Sequence, residues 1–266
     1  MSTWYLWLPI LALVAVVGSA LWRLTSARSR LYERLATLRP SGRDPLESWQ
    51  PPSPPSFADR LVRMGGILPA PVLDRLTSAI EKLVTTERSY LPAHKKGGTI
   101  AYETLCAKAP DVVALYQSKV LRKLVSDIVG LELWPTPLRD QSSCSVLFYE
   151  KPGDHIGWHY DHNFYRGRHF TVLIPIVNRG AEPGSLSSAE LQVKRGEEVI
   201  PIATPPGTLI AFEGARVLHK VTPIAEGERR VVLSMTYCAD PRSSAWQGAA
   251  RRVKDVAFFG VRALWT

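Results

Sequence analysis

Cysteine is scarce in this chain. Cys106, Cys144 and Cys238 are the only three, widely spaced and without a CxxC pair. That excludes a disulfide framework and a thiolate zinc site, and it suits buried thiols in a reducing compartment. Charge is missing from one long stretch: Trp4 to Trp22 contains none, and no charged side chain precedes it. A secretory leader normally opens with a positive charge, so Gly18-Ser19-Ala20 is a poor cleavage signal here despite its small residues. A basic stripe interleaved with aromatics is also lacking, and no internal repeat occurs. The formal net charge of +9 therefore gives no reason to expect nucleic acid.

The uncharged stretch is rich in Leu, Ile and Val, with Trp4, Tyr5 and Trp7 at one end and Trp22 at the other. A helix of that length rises about 28 Å, close to the hydrocarbon thickness of a bilayer. Interfacial rings at both ends complete the pattern of a transmembrane anchor over residues 1–24. Arg23, Arg28, Arg30, Arg34, Arg39 and Arg43 follow directly. The positive-inside rule then places the remainder of the chain on the cytoplasmic side. The membrane is the first expected partner, and a lipid or membrane protein the expected kind of substrate.

Residues 25–57 read as a basic, proline-rich linker, with Pro40, Pro45, Pro51, Pro52, Pro54 and Pro55 stiffening it. Beyond it, hydrophobic residues at 45% and charged residues at 21% of the chain are enough for a packed domain. Residues 58–142 carry two helical stripes. Val72, Leu73, Leu76, Ile80 and Leu83 define one over 69–85. Val112, Leu115, Tyr116, Val120, Leu124 and Ile128 define another over 111–128, with Asp111 as its cap and Gly130 as its stop. From 143 to 239 the texture changes to short β-prone runs near 143–150, 155–161, 168–177, 188–194, 197–202, 207–213, 216–223 and 229–238. Strands at that spacing predict a sandwich or jelly roll in an α+β domain. The extension 240–266 should hold one more amphipathic helix.

The chemistry concentrates in His155-Ile156-Gly157-Trp158-His159-Tyr160-Asp161. His159 and Asp161 are two apart, so on a strand they share a face. His219, in Val217-Leu218-His219-Lys220-Val221, offers a second imidazole. Two histidines and one carboxylate leave metal positions open, which suits iron(II) that must also bind a co-substrate and oxygen. A structural zinc site would be closed by four ligands. His155 and His162 are not expected to be ligands. Trp158 and Tyr160 either line the pocket or pack. Arg229, ten residues after His219, opens the last strand; a buried guanidinium there calls for a carboxylate partner. Arg230 should point to the opposite face.

These residues resemble the iron(II)/2-oxoglutarate-dependent dioxygenases of the double-stranded β-helix fold, nearest the prolyl-4-hydroxylase-like branch. The resemblance rests on Tyr149-Glu150-Lys151-Pro152-Gly153-Asp154-His155 leading to the His-x-Asp motif. It rests also on Pro206-Gly207-Thr208-Leu209-Ile210-Ala211-Phe212 before His219, and on the His219-to-Arg229 spacing. It spans residues 143–239. It implies a double-stranded β-helix with supporting helices, iron at His159, Asp161 and His219, and 2-oxoglutarate bound by Arg229 with help from Tyr149 and Thr171. It further implies ascorbate as an accessory reductant and hydroxylation as the outcome. Related halogenases have a small residue where Asp161 stands. The alternative is a non-catalytic metal-binding or oxygen-sensing scaffold of cupin type.

Overall fold

The computed structural model describes residues 11–20, 22–23, 26, 44–83, 87–91, 95–137 and 140–259. Residues 11–20 are helical and exposed along their whole length. Among the described residues no helix is long and apolar enough to cross a membrane. The rest of the expected anchor, at both of its ends, and most of the following basic segment lie outside the described residues.

All eight expected strands form. They are β5 (Cys144–Tyr149), β6 (His155–His159), β7 (His169–Arg179), β8 (Leu191–Arg195), β9 (Glu198–Ile202), β10 (Leu209–Phe212), β11 (Leu218–Val221) and β12 (Arg229–Cys238). Four more precede them: β1 (Leu61–Met64), β2 (Glu87–Leu91), β3 (Lys95–Ile100) and β4 (Trp134–Pro135). The strand order is β1-β10-β7-β12-β5-β3-β6-β11-β8-β9, with β2 on β3 and β4 on β12, and every pairing is antiparallel. β3 is the hinge between two walls. It pairs with β5 through Gly98–Ile100 and with β6 through Lys95–Lys96. This is the double-stranded β-helix, a jelly roll with supporting helices.

Period-2 alternation decides what each wall offers. On β12, Val231, Leu233, Met235 and Tyr237 pack into the larger core, which is shared with the helices. The intervening Arg230, Val232, Ser234 and Thr236 face a cavity between the walls. The helix Ala70–Glu81 contributes its apolar stripe, Val72, Leu76 and Ile80, to the larger core.

The single helix expected over 111–128 is two, Pro110–Tyr116 and Lys119–Val129. Ser118 breaks the run with non-helical backbone, and its hydroxyl accepts from the Leu121 amide at 3.1 Å. The N-cap is therefore Ser118; Asp111 sits in the first turn of the shorter helix and caps nothing. The apolar stripe runs through the break because both helices face one core. Gly130 ends the second helix in the left-handed region at φ 69°. A further helix, Tyr102–Lys108, lacks a periodic stripe long enough to read. The expected C-terminal helix spans Ala245–Phe259.

Candidate metal centre and co-substrate cavity

His159 ends β6 and His219 sits on β11, and the two are paired in register. Their ring centroids are 4.0 Å apart. Asp161 follows β6 directly, held by its amide donating to the Gly214 carbonyl at 3.0 Å. The candidate ligand atoms of His159, Asp161 and His219 all lie within 4.8 Å of one another. Asp161 Oδ1 stands 3.6 Å from His159 Nε2 and 4.0 Å from His219 Nε2.

The tautomers follow from the backbone. His159 Nδ1 lies 2.8 Å from the Gly157 carbonyl and His219 Nδ1 lies 3.0 Å from the Val217 carbonyl. A carbonyl only accepts, so each Nδ1 carries the proton and each Nε2 presents a lone pair. Burial alone would raise the Asp161 carboxyl. Positive charge on His219 and His159 when they are protonated, together with the Thr171 hydroxyl, outweighs it and holds the group below the usual carboxylate range, so in the metal-free site the carboxylate is the first of the three to lose its proton. A deprotonated carboxylate beside two Nε2 lone pairs is a donor set that fits iron(II) and leaves positions open.

The triad opens on a cavity of about 670 Å³. Tyr149 and Thr171 both line it. The Thr171 hydroxyl is committed to Asp161, donating to Oδ2 at 2.5 Å. Thr171 thus lines the cavity with its hydroxyl turned to Asp161.

Arg229 needs correction. It lies on the β12 face that carries the larger core, where its guanidinium reaches Glu150 at 2.9 Å and Glu81 at 3.6 Å. It does not line the cavity. Arg230 does, at 1% exposure. Its Nη1 donates to Thr204 Oγ1 at 2.5 Å and to the Ala189 carbonyl at 3.3 Å. Its Nε is buried without a partner, and no carboxylate pairs with it among the described residues. Burial pushes its pKa down to about 10. A guanidinium enclosed at the end of a cavity, with a donor unspent, fits the distal carboxylate of a keto diacid.

Lys95 also lines the cavity. It is buried, donates to Thr99 Oγ1 at 2.6 Å, and burial lowers its pKa to about 8. Sequence reading missed Lys95, and only the alternation along β3 could have pointed to it. The other doubtful residues separate cleanly. His155 turns to the Gly153 carbonyl at 2.8 Å and lies off the cavity. His162 lines the cavity and stacks on Phe164. Tyr160 is on the lining; Trp158 is not, and lies under the Lys220 ammonium at 4.7 Å.

A sequence profile described as HalD: Halogenase D matches residues 56–182. No curated protein matches the sequence. Among solved structures, the chain is similar to the non-heme alpha ketoglutarate dependent epimerase SnoN from nogalamycin biosynthesis. That match has a TM-score of 0.54 at 16% identity, covering 71% of this chain and 84% of the other. It is similar also to a prolyl hydroxylase from Trichoplax adhaerens bound to a hypoxia inducible factor peptide, with TM-score 0.53 and 14% identity over 82% of this chain and 93% of the other. AviO1 from Streptomyces viridochromogenes Tue57 gives 0.52 and 16% over 70% and 93%. The fold is the one that iron- and 2-oxoglutarate-dependent oxygenases share.

Proposed function

We propose that the protein is an iron(II)- and 2-oxoglutarate-dependent oxygenase that hydroxylates its substrate. One observation carries this reading: the His159–Asp161–His219 ligand atoms converge in the same cavity that encloses Arg230 with an unspent donor. His159 and His219 would hold the metal through Nε2 and Asp161 through Oδ1. Arg230 would receive the distal carboxylate of 2-oxoglutarate, with Tyr149 beside it and Lys95 on the same cavity lining. The iron, when bound, supplies the coupling of oxygen reduction and keto-acid decarboxylation to substrate oxidation. The carbonyl-locked imidazoles keep the ligand set oriented. Ascorbate is an accessory reductant in this reading.

The Halogenase D match favours a second outcome, halogen transfer. Asp161 argues for hydroxylation, because its carboxylate occupies the position a halide would need. The anchor Trp4–Trp22 and the arginines after it support a single-pass protein with its catalytic domain on the cytoplasmic side. Tethering also favours a lipid or membrane-protein substrate.

The test is spectroscopic. Full-length protein in detergent, anaerobic and loaded with iron(II), should develop the weak visible charge-transfer band of a chelated keto acid when 2-oxoglutarate is added. His219→Ala should abolish it. A folded, iron-loaded protein without the band would favour the scaffold reading instead.

A further inference from the structure

The cavity has two halves, divided by the triad. Thr171 bonds Asp161, and strand register fixes what lies to either side. Toward Leu173 and Val232 lies the Arg230 end. In the other direction β7 begins at His169, which pairs with Cys238. That outer half is lined by Phe164 and by Ala250, Val253 and Lys254 of the C-terminal helix.

The charges of the outer half are matched among themselves. Lys254 Nζ lies 2.9 Å from Asp140 and 3.0 Å from Asp255. Asp140 also accepts from the Tyr165 hydroxyl at 2.7 Å, and Lys254 donates to Ser142 at 2.8 Å. Arg251 holds Asp255 at 3.3 Å. A charged ligand would meet no free counter-charge there and would have to break a buried pair. His169 is different. It lines the cavity, is buried at 5% exposure and stacked on Tyr165, and its enclosed Nδ1 has no hydrogen-bond partner among the described residues. A buried polar atom left unpaired is costly unless a ligand or water completes it.

We infer that the outer half is the substrate chamber, that it takes an uncharged, mainly apolar molecule, and that His169 selects for a hydrogen-bonding group on that molecule close to the metal. This rests on the oxygenase reading above. His169 is a specificity-determining residue here, with no part in holding iron or 2-oxoglutarate.

Four eight-carbon probes test it: 1-octanol, octanoate, octylamine and octane. Each is titrated into the anaerobic iron(II)–2-oxoglutarate complex of the full chain while the charge-transfer band is followed. Octanol should perturb the band at concentrations at least roughly tenfold below those needed for octanoate or octylamine. His169→Leu should weaken octanol by roughly three- to tenfold, one hydrogen bond, while leaving octane and the 2-oxoglutarate titration unchanged. His169→Gln, which keeps a donor and an acceptor, should restore much of the preference. Equal or tighter binding of octanoate or octylamine overturns the inference, as does a His169→Leu protein that binds octanol like wild type, or no response to any probe. Each of those leaves the band itself intact, so the oxygenase reading survives. Loss of the band in wild type removes both.

Discussion

Arg230→Met isolates the co-substrate contact. Arg230 is enclosed at 1% exposure, and burial drives its pKa down to about 10. Keeping that charge in place costs the folded state about 3 kcal/mol. Methionine keeps the length and removes the charge, at the loss of bonds to Thr204 and Ala189 worth about 1 kcal/mol each. The metal-free protein should therefore hold its stability or gain about 1 kcal/mol in urea unfolding. Co-substrate affinity should move the other way. Charge-assisted hydrogen bonds to a carboxylate contribute about 1.5–3 kcal/mol, so 2-oxoglutarate should bind roughly ten- to 100-fold more weakly in anaerobic titration. Arg229→Met is the control. Its partners Glu150 and Glu81 are partly exposed, so roughly 0–1 kcal/mol of stability is at stake and 2-oxoglutarate affinity should stay within about twofold. A weakened Arg229→Met beside an unaffected Arg230→Met would refute the assignment.

Three other expectations follow from single contacts. Thr171→Val keeps the shape but removes the donor to Asp161, and iron(II) affinity should fall roughly ten- to 100-fold in a competitive chelator titration. Lys95 has its folded pKa lowered to about 8, so its ammonium is present below that pH and lost above it. Affinity for the 2-oxoglutarate dianion should thus decline as pH rises through about 8, and Lys95→Met should flatten that decline. Ser118→Ala removes the cap of the helix Lys119–Val129 and should cost about 1 kcal/mol in denaturant unfolding, whereas Asp111→Ala should cost less.

The strand region was legible because alternation and turn residues mark each short strand on their own. The first four strands were not. β2 and β3 carry Arg88, Lys95, Lys96, Gly97 and Gly98, a polar and glycine-rich text that becomes strand only through pairing with β5 and β6. The triad was readable from spacing plus side-chain chemistry. Spacing from His219 points to Arg229, whereas strand parity puts Arg230 on the cavity. Arg229 shares its face with Val231, Leu233, Met235 and Tyr237, an apolar series that belongs to a core. Arg230 shares its face with Ser234 and Thr236, a polar series that belongs to a cavity. His169 carried no local signal, since its significance lies in Tyr165, Asp140 and a helix far along the chain.

Gly214 shows how firmly Asp161 is built into this site. A Cβ placed on Gly214 would lie 2.7 Å from Asp161 Cβ and 2.9 Å from Thr171 Oγ1, both closer than real contacts permit. The backbone at 214 also accepts the Asp161 amide at 3.0 Å, so it cannot simply withdraw. Glycine at 214, threonine at 171 and aspartate at 161 are therefore one mutually dependent unit. Gly214→Ala should displace the Asp161 carboxylate and lower iron(II) affinity at least roughly tenfold. The same change in an Asp161→Gly background meets only Thr171 and should cost little more, because its main clash is gone. A double-mutant cycle measures that coupling directly. Additive losses would mean that Gly214 acts through the fold at large. Strong non-additivity would mean that this chain, although its residues 56–182 match a halogenase profile, has shaped its backbone around a carboxylate at the very position a halide would occupy.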